Sequence, residues 1–192
     1  MWTIRVITPP AAEPVSLAEA KAQLRLMDMV DDEHVSRLIR ASRQHVERVT
    51  GRALLETVVE MRGAALPRTL RLAGGHLAAT PGLSVSYLDP SGAVQVLDPS
   101  GYVVVDGGED QGQLVLVGGA LPPMATGRPD VVRVRYTVGW ADGLVPDDLR
   151  MALLLLLSLL FESRQQGLND PSVVTLNSAF DSLLNSYRFL VL

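Results

Sequence analysis

The chain contains no cysteine. That excludes disulfides, thiol nucleophiles, zinc–thiolate sites and iron–sulfur clusters. Lysine is nearly missing too: Lys21 stands against sixteen arginines. A GC-rich gene accounts for most of that bias, and the weakly hydrated, bidentate guanidinium also favours interfaces. Net positive charge is lacking, since the formal charge is −4; this argues against a protein that grips nucleic acid through bulk positive charge. Only one long apolar run occurs, Met151-Ala-Leu-Leu-Leu-Leu-Leu-Ser-Leu-Leu-Phe161, eleven residues between Arg150 and Glu162. Spanning a bilayer takes about 20 apolar residues, so the run reads as a buried helix and no membrane contact is expected. The N-terminus has neither an apolar h-region nor a small-residue cleavage site, and no signal peptide is expected.

What remains is 192 residues with 47% hydrophobic content, enough for one large domain or two small ones and incompatible with intrinsic disorder. The pattern runs helices, strands, helices. Ser16-Leu-Ala-Glu19 is a capping box that opens a helix to about Leu26. Asp31 or Asp32 caps a second helix with Val35, Leu38, Ile39, Val46 and Val49 at helical spacing, and Gly51 is a natural stop. Arg37, Arg40, Arg43 and Glu47 read as its opposite face.

From Leu54 to Trp140 the period is two. Strands are expected at Leu54–Met61, Arg68–Leu72, Leu83–Leu88, Ala93–Leu97, Tyr102–Asp106, Gln113–Val117 and Val131–Val138. In Val132-Arg-Val-Arg-Tyr136 the valines face a core and Arg133 and Arg135 face outward. Leu88-Asp-Pro-Ser-Gly92 repeats as Leu97-Asp-Pro-Ser-Gly101, good turn chemistry that predicts a tight antiparallel meander. Pro146-Asp-Asp148 starts a third helix, ending near Gly167, that carries the leucine run. Leu176, Ala179, Phe180, Leu183, Leu184 and Tyr187 mark a last helix before an apolar tail. The expected architecture is α+β: a helical bundle built from both chain ends (1–53 and 141–192) with an inserted antiparallel β-domain (54–140).

Catalytic and metal signatures are thin. His34, His45 and His76 are far apart and lie outside any metal-ligand frame. There is no Walker loop, no Gly-x-Gly-x-x-Gly after a strand and no Gly-x-Ser-x-Gly elbow. Asp106-Gly-Gly-Glu-Asp110 lacks the ligand alternation and terminal Glu of a calcium loop and reads as a turn. No catalytic residue, metal or cofactor is expected. A ligand- or carbohydrate-binding β-domain would show clustered aromatics, yet aromatics are 5% and Tyr87, Tyr102 and Tyr136 suit a core. A metal-free hydrolase would need convergent Asp, His and Ser in a pocket.

Two features point to assembly instead. A leucine run apolar all round is hard to bury within four helices, so Leu154, Leu157 and Phe161 are candidate interface residues. The arginine face, Arg37, Arg40 and Arg43, reads as a solvated face with Glu47 partnering Arg43 at i,i+4, or as a contact for an acidic neighbour in preference to DNA phosphate, which the net charge disfavours.

Ordered segments then carry a family likeness. Val15-Ser-Leu-Ala-Glu-Ala-Lys-Ala-Gln-Leu-Arg-Leu26 precedes Asp31-Asp-Glu-His-Val-Ser-Arg-Leu-Ile-Arg40 and a helix ending in Thr50-Gly-Arg52. Tyr136-Thr-Val-Gly-Trp140 leads to Val145-Pro-Asp-Asp-Leu-Arg-Met-Ala-Leu153, and Leu183-Leu-Asn-Ser-Tyr-Arg188 lies near the end. This set resembles head–tail connector (adaptor) proteins of tailed phages, prophages and gene transfer agents. The likeness covers both helical parts, about half the chain; the β-insert matches by position alone. It implies a structural protein without catalysis, in a homo-oligomeric ring of about twelve subunits beneath a portal, a closed heterologous assembly. It implies a portal protein above, other neck or tail proteins below, and a DNA channel without sequence readout. The implied location is the neck of a virion or phage-like particle assembled in a bacterial cytoplasm. Tyr187, Arg188, Phe189, Leu190, Val191 and Leu192 are the expected portal-docking residues. A negative chain suits a conduit, because Lys and Arg contacts to phosphate dominate DNA affinity.

Overall fold

The computed structural model describes residues 2–26, 32–79, 81–108, 110–118, 121–163 and 180–188. They form a mixed helix and antiparallel-sheet fold, the expected α+β class. The chain divides into two compact units: Met1–Ala11 with Glu56–Ala141, and Ala12–Leu55 with Asp142–Leu192.

The first unit holds the strands. They are β1 (Thr3–Thr8), β2 (Thr57–Gly63), β3 (Thr69–Arg71), β4 (Ser84–Leu88), β5 (Val94–Val96), β6 (Tyr102–Val105), β7 (Gln113–Leu116) and β8 (Val132–Val138). A five-stranded sheet has the order β1-β2-β8-β4-β5, and a three-stranded sheet the order β3-β7-β6. Strands β3 to β8 fall where alternation places them, while β2 starts three residues later than the expected Leu54 and runs on to Gly63. Strand β1 was not expected, and it moves residues 1–11 from the helical segment to the strand unit. It is an edge strand whose Ile4 and Val6 are 45% and 59% exposed. Its place is set by the ladder to β2, Ile4 opposite Met61 and Val6 opposite Val59. Gly63 permits this pairing because a Cβ there would strike the Trp2 ring.

The two Asp-Pro-Ser-Gly turns serve different purposes. In the first, Asp89 accepts from the Ser91 and Ala93 amides and the Gln95 side chain, closing the β4–β5 hairpin. Hydrogen bonds from the Ser91 hydroxyl and Gln95 hold its carboxyl down to about 2. In the second, Pro99–Gly101 forms a 3-10 turn capped by Asp98, and the chain passes to the other sheet. The expected meander is therefore a hairpin followed by a crossing, because β6 pairs with β7 rather than β5. The core gathers Val59, Met61, Val85, Val134 and Tyr136 from one sheet and Leu70, Leu114 and Tyr102 from the other. The Tyr136 hydroxyl donates to Ala73 O at 2.7 Å, satisfying the polar atom of a buried ring. Burial pushes that phenol well above its ordinary pKa.

The second unit holds α1 (Leu17–Gln23), α2 (Asp32–Thr50) and α3 (Asp147–Ser163), each in contact with the other two. The expected capping box is present, with Ser16 accepting from the Glu19 amide and Glu19 accepting from the Ser16 amide. Gly51 ends α2 at φ 70°, a conformation only glycine adopts freely. Ala20, Val35, Ile39, Val46, Leu149, Leu153, Leu157 and Leu184 are almost wholly buried. Each such leucine contributes about 1.5–3 kcal/mol of transfer free energy. Residues 180–185 are helical, within the last expected helix. The rest of that helix, the expected end of α3 near Gly167, and Phe189–Leu192 lie outside the described residues. No helix among the described residues is long and apolar enough to cross a membrane.

Candidate functional site

The arginines of α2 separate by helical position. Arg43 lies four residues beyond Ile39, at the edge of the Val35–Ile39–Val46 stripe, so it turns inward and its side chain is 10% exposed. Its Nε donates to Glu13 Oε2 at 2.7 Å and its Nη1 to Glu47 Oε2 at 2.9 Å. Glu47 also accepts from the Leu54 amide. One guanidinium thereby fastens the segment before α1 and, through Glu47, the segment after α2. Burial opposes the charge on Arg43, but the two carboxylates outweigh it, and the net displacement of its pKa is upward. Arg43 is thus occupied within its own unit, which corrects its assignment to the outward face. Arg37 and Arg40 do face solvent. Arg37 pairs with Glu33 one turn away at 2.9 Å, while Arg40 lines a shallow cleft with Glu13 and Ser36.

The leucine run divides similarly. Leu157 is fully buried in the subunit; Leu154 and Phe161 are half-buried, and Phe161 lies 6.2 Å from the His34 ring. Met151 and Leu160 are the exposed large residues of the run, at 50% and 37%. Of the expected docking residues, Tyr187 and Arg188 are described. The Tyr187 carbonyl accepts from Arg52 Nε at 2.6 Å, and Arg188 pairs with Asp181 at 2.7 Å. Arg52, only 4% exposed, thereby anchors the base of the C-terminal segment. Sequence reasoning missed it because its partner is a carbonyl 135 residues away.

A second arginine cluster was only half legible. On the exposed face of the five-stranded sheet, the register aligns Thr3, Arg62, Arg133, Ser86 and Val96 in one row. The next row is Arg5, Glu60, Arg135 and Ser84. Glu60 is 3% exposed, yet its carboxylate receives Arg5 and Arg62 at 2.8 Å and Arg135 at 3.0 Å. Burial alone would raise its pKa; the hydrogen bonds from Arg62 and Arg135 and the charge of Arg5 prevail, and it is lowered. The outward aim of Arg133 and Arg135 follows from alternation, whereas the hub at Glu60 appears only once β1, β2 and β8 are paired.

His76 stacks on Trp140 with ring centroids 5.4 Å apart and its Nδ1 meets Gly108 O at 2.7 Å, both stabilising contacts. Among the described residues no three His, Asp or Glu side chains are grouped to hold a metal. An open cleft of about 500 Å³ has alanine, glycine, Met124, Thr126 and Pro129 along its walls, with Arg128 as its one charged group.

No family model matches the sequence, and no curated protein matches it. Solved structures do share the fold. A chain in the neck of an empty gene transfer agent (GTA) particle, computed with C6 symmetry, superposes with a TM-score of 0.80 at 20% identity, covering 99% of this chain and 97% of that one. A chain in the virion of a native GTA particle gives 0.75 at 21% identity over 99% and 97%. A chain in the neck of a native GTA particle, computed with C12 symmetry, gives 0.72 at 21% identity over 100% and 97%. The near-complete coverage on both sides means that the strand-rich segment belongs to the shared fold, as the helices do.

Proposed function

We propose that this chain is a structural head–tail adaptor. It forms a ring beneath the portal in the neck of a phage-like particle and extends the DNA channel toward the tail. The observation that carries the reading is the whole-chain likeness to chains of GTA neck assemblies, two of them computed with C6 or C12 symmetry. The ordered segments that resemble the connector family point the same way from the sequence alone. In this reading the helical bundle drawn from both chain ends is the connector body, and the strand unit is its insert. The work is done by packing, with no catalytic group, metal or cofactor, and the particle is assembled in a bacterial cytoplasm.

Portal docking falls to the C-terminal residues Tyr187, Arg188, Phe189, Leu190, Val191 and Leu192. Arg52 fixes the start of that segment through the Tyr187 carbonyl, so the apolar residues beyond it leave from a held point. Arg37, Arg40, Leu154 and Phe161 remain the subunit- or partner-facing residues of the helical unit. A pull-down with the cognate portal protein tests the docking. The full chain is expected to retain portal, and deletion of Phe189–Leu192 to abolish retention while leaving the thermal melt unchanged. Equal retention by the truncated chain would refute the docking role.

A further inference from the structure

The five-stranded sheet ends in two open edges, β1 and β5. Neighbouring strands are antiparallel throughout, so these two run in the same direction. The Leu97 amide donates to Val85 O and the Asp89 amide to Ala93 O, which turns Ala93, Gln95 and Leu97 toward β4. By alternation Val94 and Val96 turn their N–H and C=O groups to the open side of β5. The Leu88 amide donates to Val131 O, so Arg133 and Arg135 face β4 with their main chain, and Val134 and Tyr136 face β2. Carried across the register, Met61 and Val59 face β8, Glu60 and Arg62 face β1, and Thr3 and Arg5 face β2. Ile4 and Val6 therefore turn their main-chain groups to the open side of β1. These same four residues are exposed: Ile4 45%, Val6 59%, Val94 60% and Val96 71%. Their side chains lie on opposite faces of the sheet, Ile4 and Val6 with Met61 and Val59, Val94 and Val96 with Ser86 and Arg133. Neither strand holds a proline or a lysine, two usual guards of a free edge.

We propose that β5 of one subunit pairs in parallel with β1 of a second copy of this chain, joining the five-stranded sheets into one band around the ring. The inference rests on the ring reading and adds to it the strands in contact. In a parallel ladder a residue bonds to the two neighbours of the residue opposite it, and those neighbours point their side chains to the other face. Val94 and Val96 on one face, with Ile4 and Val6 on the other, meet that requirement without turning either sheet over. Rotation about a ring axis repeats every contact in one sense, so a closed ring needs two different surfaces on each subunit. The two ends of one sheet supply them. A foreign strand would fill one edge; a second copy fills both by a single kind of contact. The open N–H and C=O groups of Val94 and Val96 gain partners, β-branched side chains leave water at both edges, and closure leaves no end of the sheet free.

The chain has no cysteine, so engineered thiols report the contact without background. In the parallel ladder Gln95 stands opposite Ile4 or Val6, according to register. Within one subunit the two edges are four strand spacings apart, about 19 Å, beyond a short bis-maleimide. Full chains carrying Ile4→Cys/Gln95→Cys or Val6→Cys/Gln95→Cys are assembled with the portal, treated with that reagent and run on denaturing gels. One of the two pairs is expected to give a ladder of covalent multimers, and the three single-cysteine variants none. Val96→Pro removes an amide from the open side of β5 and spares the pairing with β4. It is expected to keep the wild-type circular dichroism melt and to cut the ring population in native mass measurements at least about tenfold, a change of about 1.4 kcal/mol. The cross-links decide alone should Val96→Pro lower the melt. Full-sized rings that give no ladder with either pair, or that form undiminished from folded Val96→Pro, would overturn this contact while leaving the ring reading intact. Covalent dimers from Gln95→Cys, Ile4→Cys or Val6→Cys alone would show like edges meeting and overturn it as well. A wild-type chain that stays monomeric with portal would overturn both the contact and the ring.

Discussion

Arg43→Ala is expected to lower the free energy of unfolding by about 3 kcal/mol, the lower end of the range for breaking a buried ion pair. The side chain is 10% exposed, and its partners Glu13 and Glu47 keep 27% and 21% of theirs. Removing the guanidinium strands two part-buried carboxylates and frees the segment before α1 from α2. Residual solvent at both carboxylates is what holds the loss to the lower end. The exposed Arg40 supplies the control, since Arg40→Ala should stay within about 0.5 kcal/mol. Urea unfolding of the full chain measures both. Equal midpoints for the two variants would show that Arg43 does not bear on the fold as described.

The second large effect is at Leu157. Its side chain is fully buried in the helical unit, and Leu157→Ala is expected to cost about 2–5 kcal/mol, the transfer term plus the cavity left behind. Met151, 50% exposed at the start of the same helix, should lose no more than about 0.5 kcal/mol on truncation to alanine. The pair separates two uses of one apolar run. The buried positions hold the helical unit together, and the exposed ones can be truncated without opening its core. Chemical denaturation that found Leu157→Ala and Met151→Ala equally stable would contradict this division.

Much of the fold was written in local pattern. Alternation alone placed β8 and aimed Arg133 and Arg135 outward, and Ser16 with Glu19 fixed the start of α1. Signals failed where the deciding contact was distant or shallow. Strand β1 is fixed by its ladder to β2, more than 50 residues on, a partner that the N-terminal segment does not itself reveal. Two identical Asp-Pro-Ser-Gly turns gave opposite outcomes, because the strand that follows each turn chooses its partner from elsewhere in the chain. The Glu60 hub joins Arg5 and Arg135, 55 and 75 residues away, and no window of sequence contains it.

The arginine excess gains a partial explanation by the same route. Arg43 and Arg52 are buried, and each spends its fork on tying chain segments together. Arg5, Arg62 and Arg135 share one carboxylate on a sheet face. A lysine offers no planar fork and would serve these sites poorly. The fold uses the geometry of arginine at these five positions.

The proposed ring is tested by native mass spectrometry of the purified full chain, alone and combined with its portal. One closed species of single stoichiometry is expected on the portal, with no ladder of open intermediates. A chain that remains strictly monomeric with portal present, at concentrations where both are folded, would contradict it.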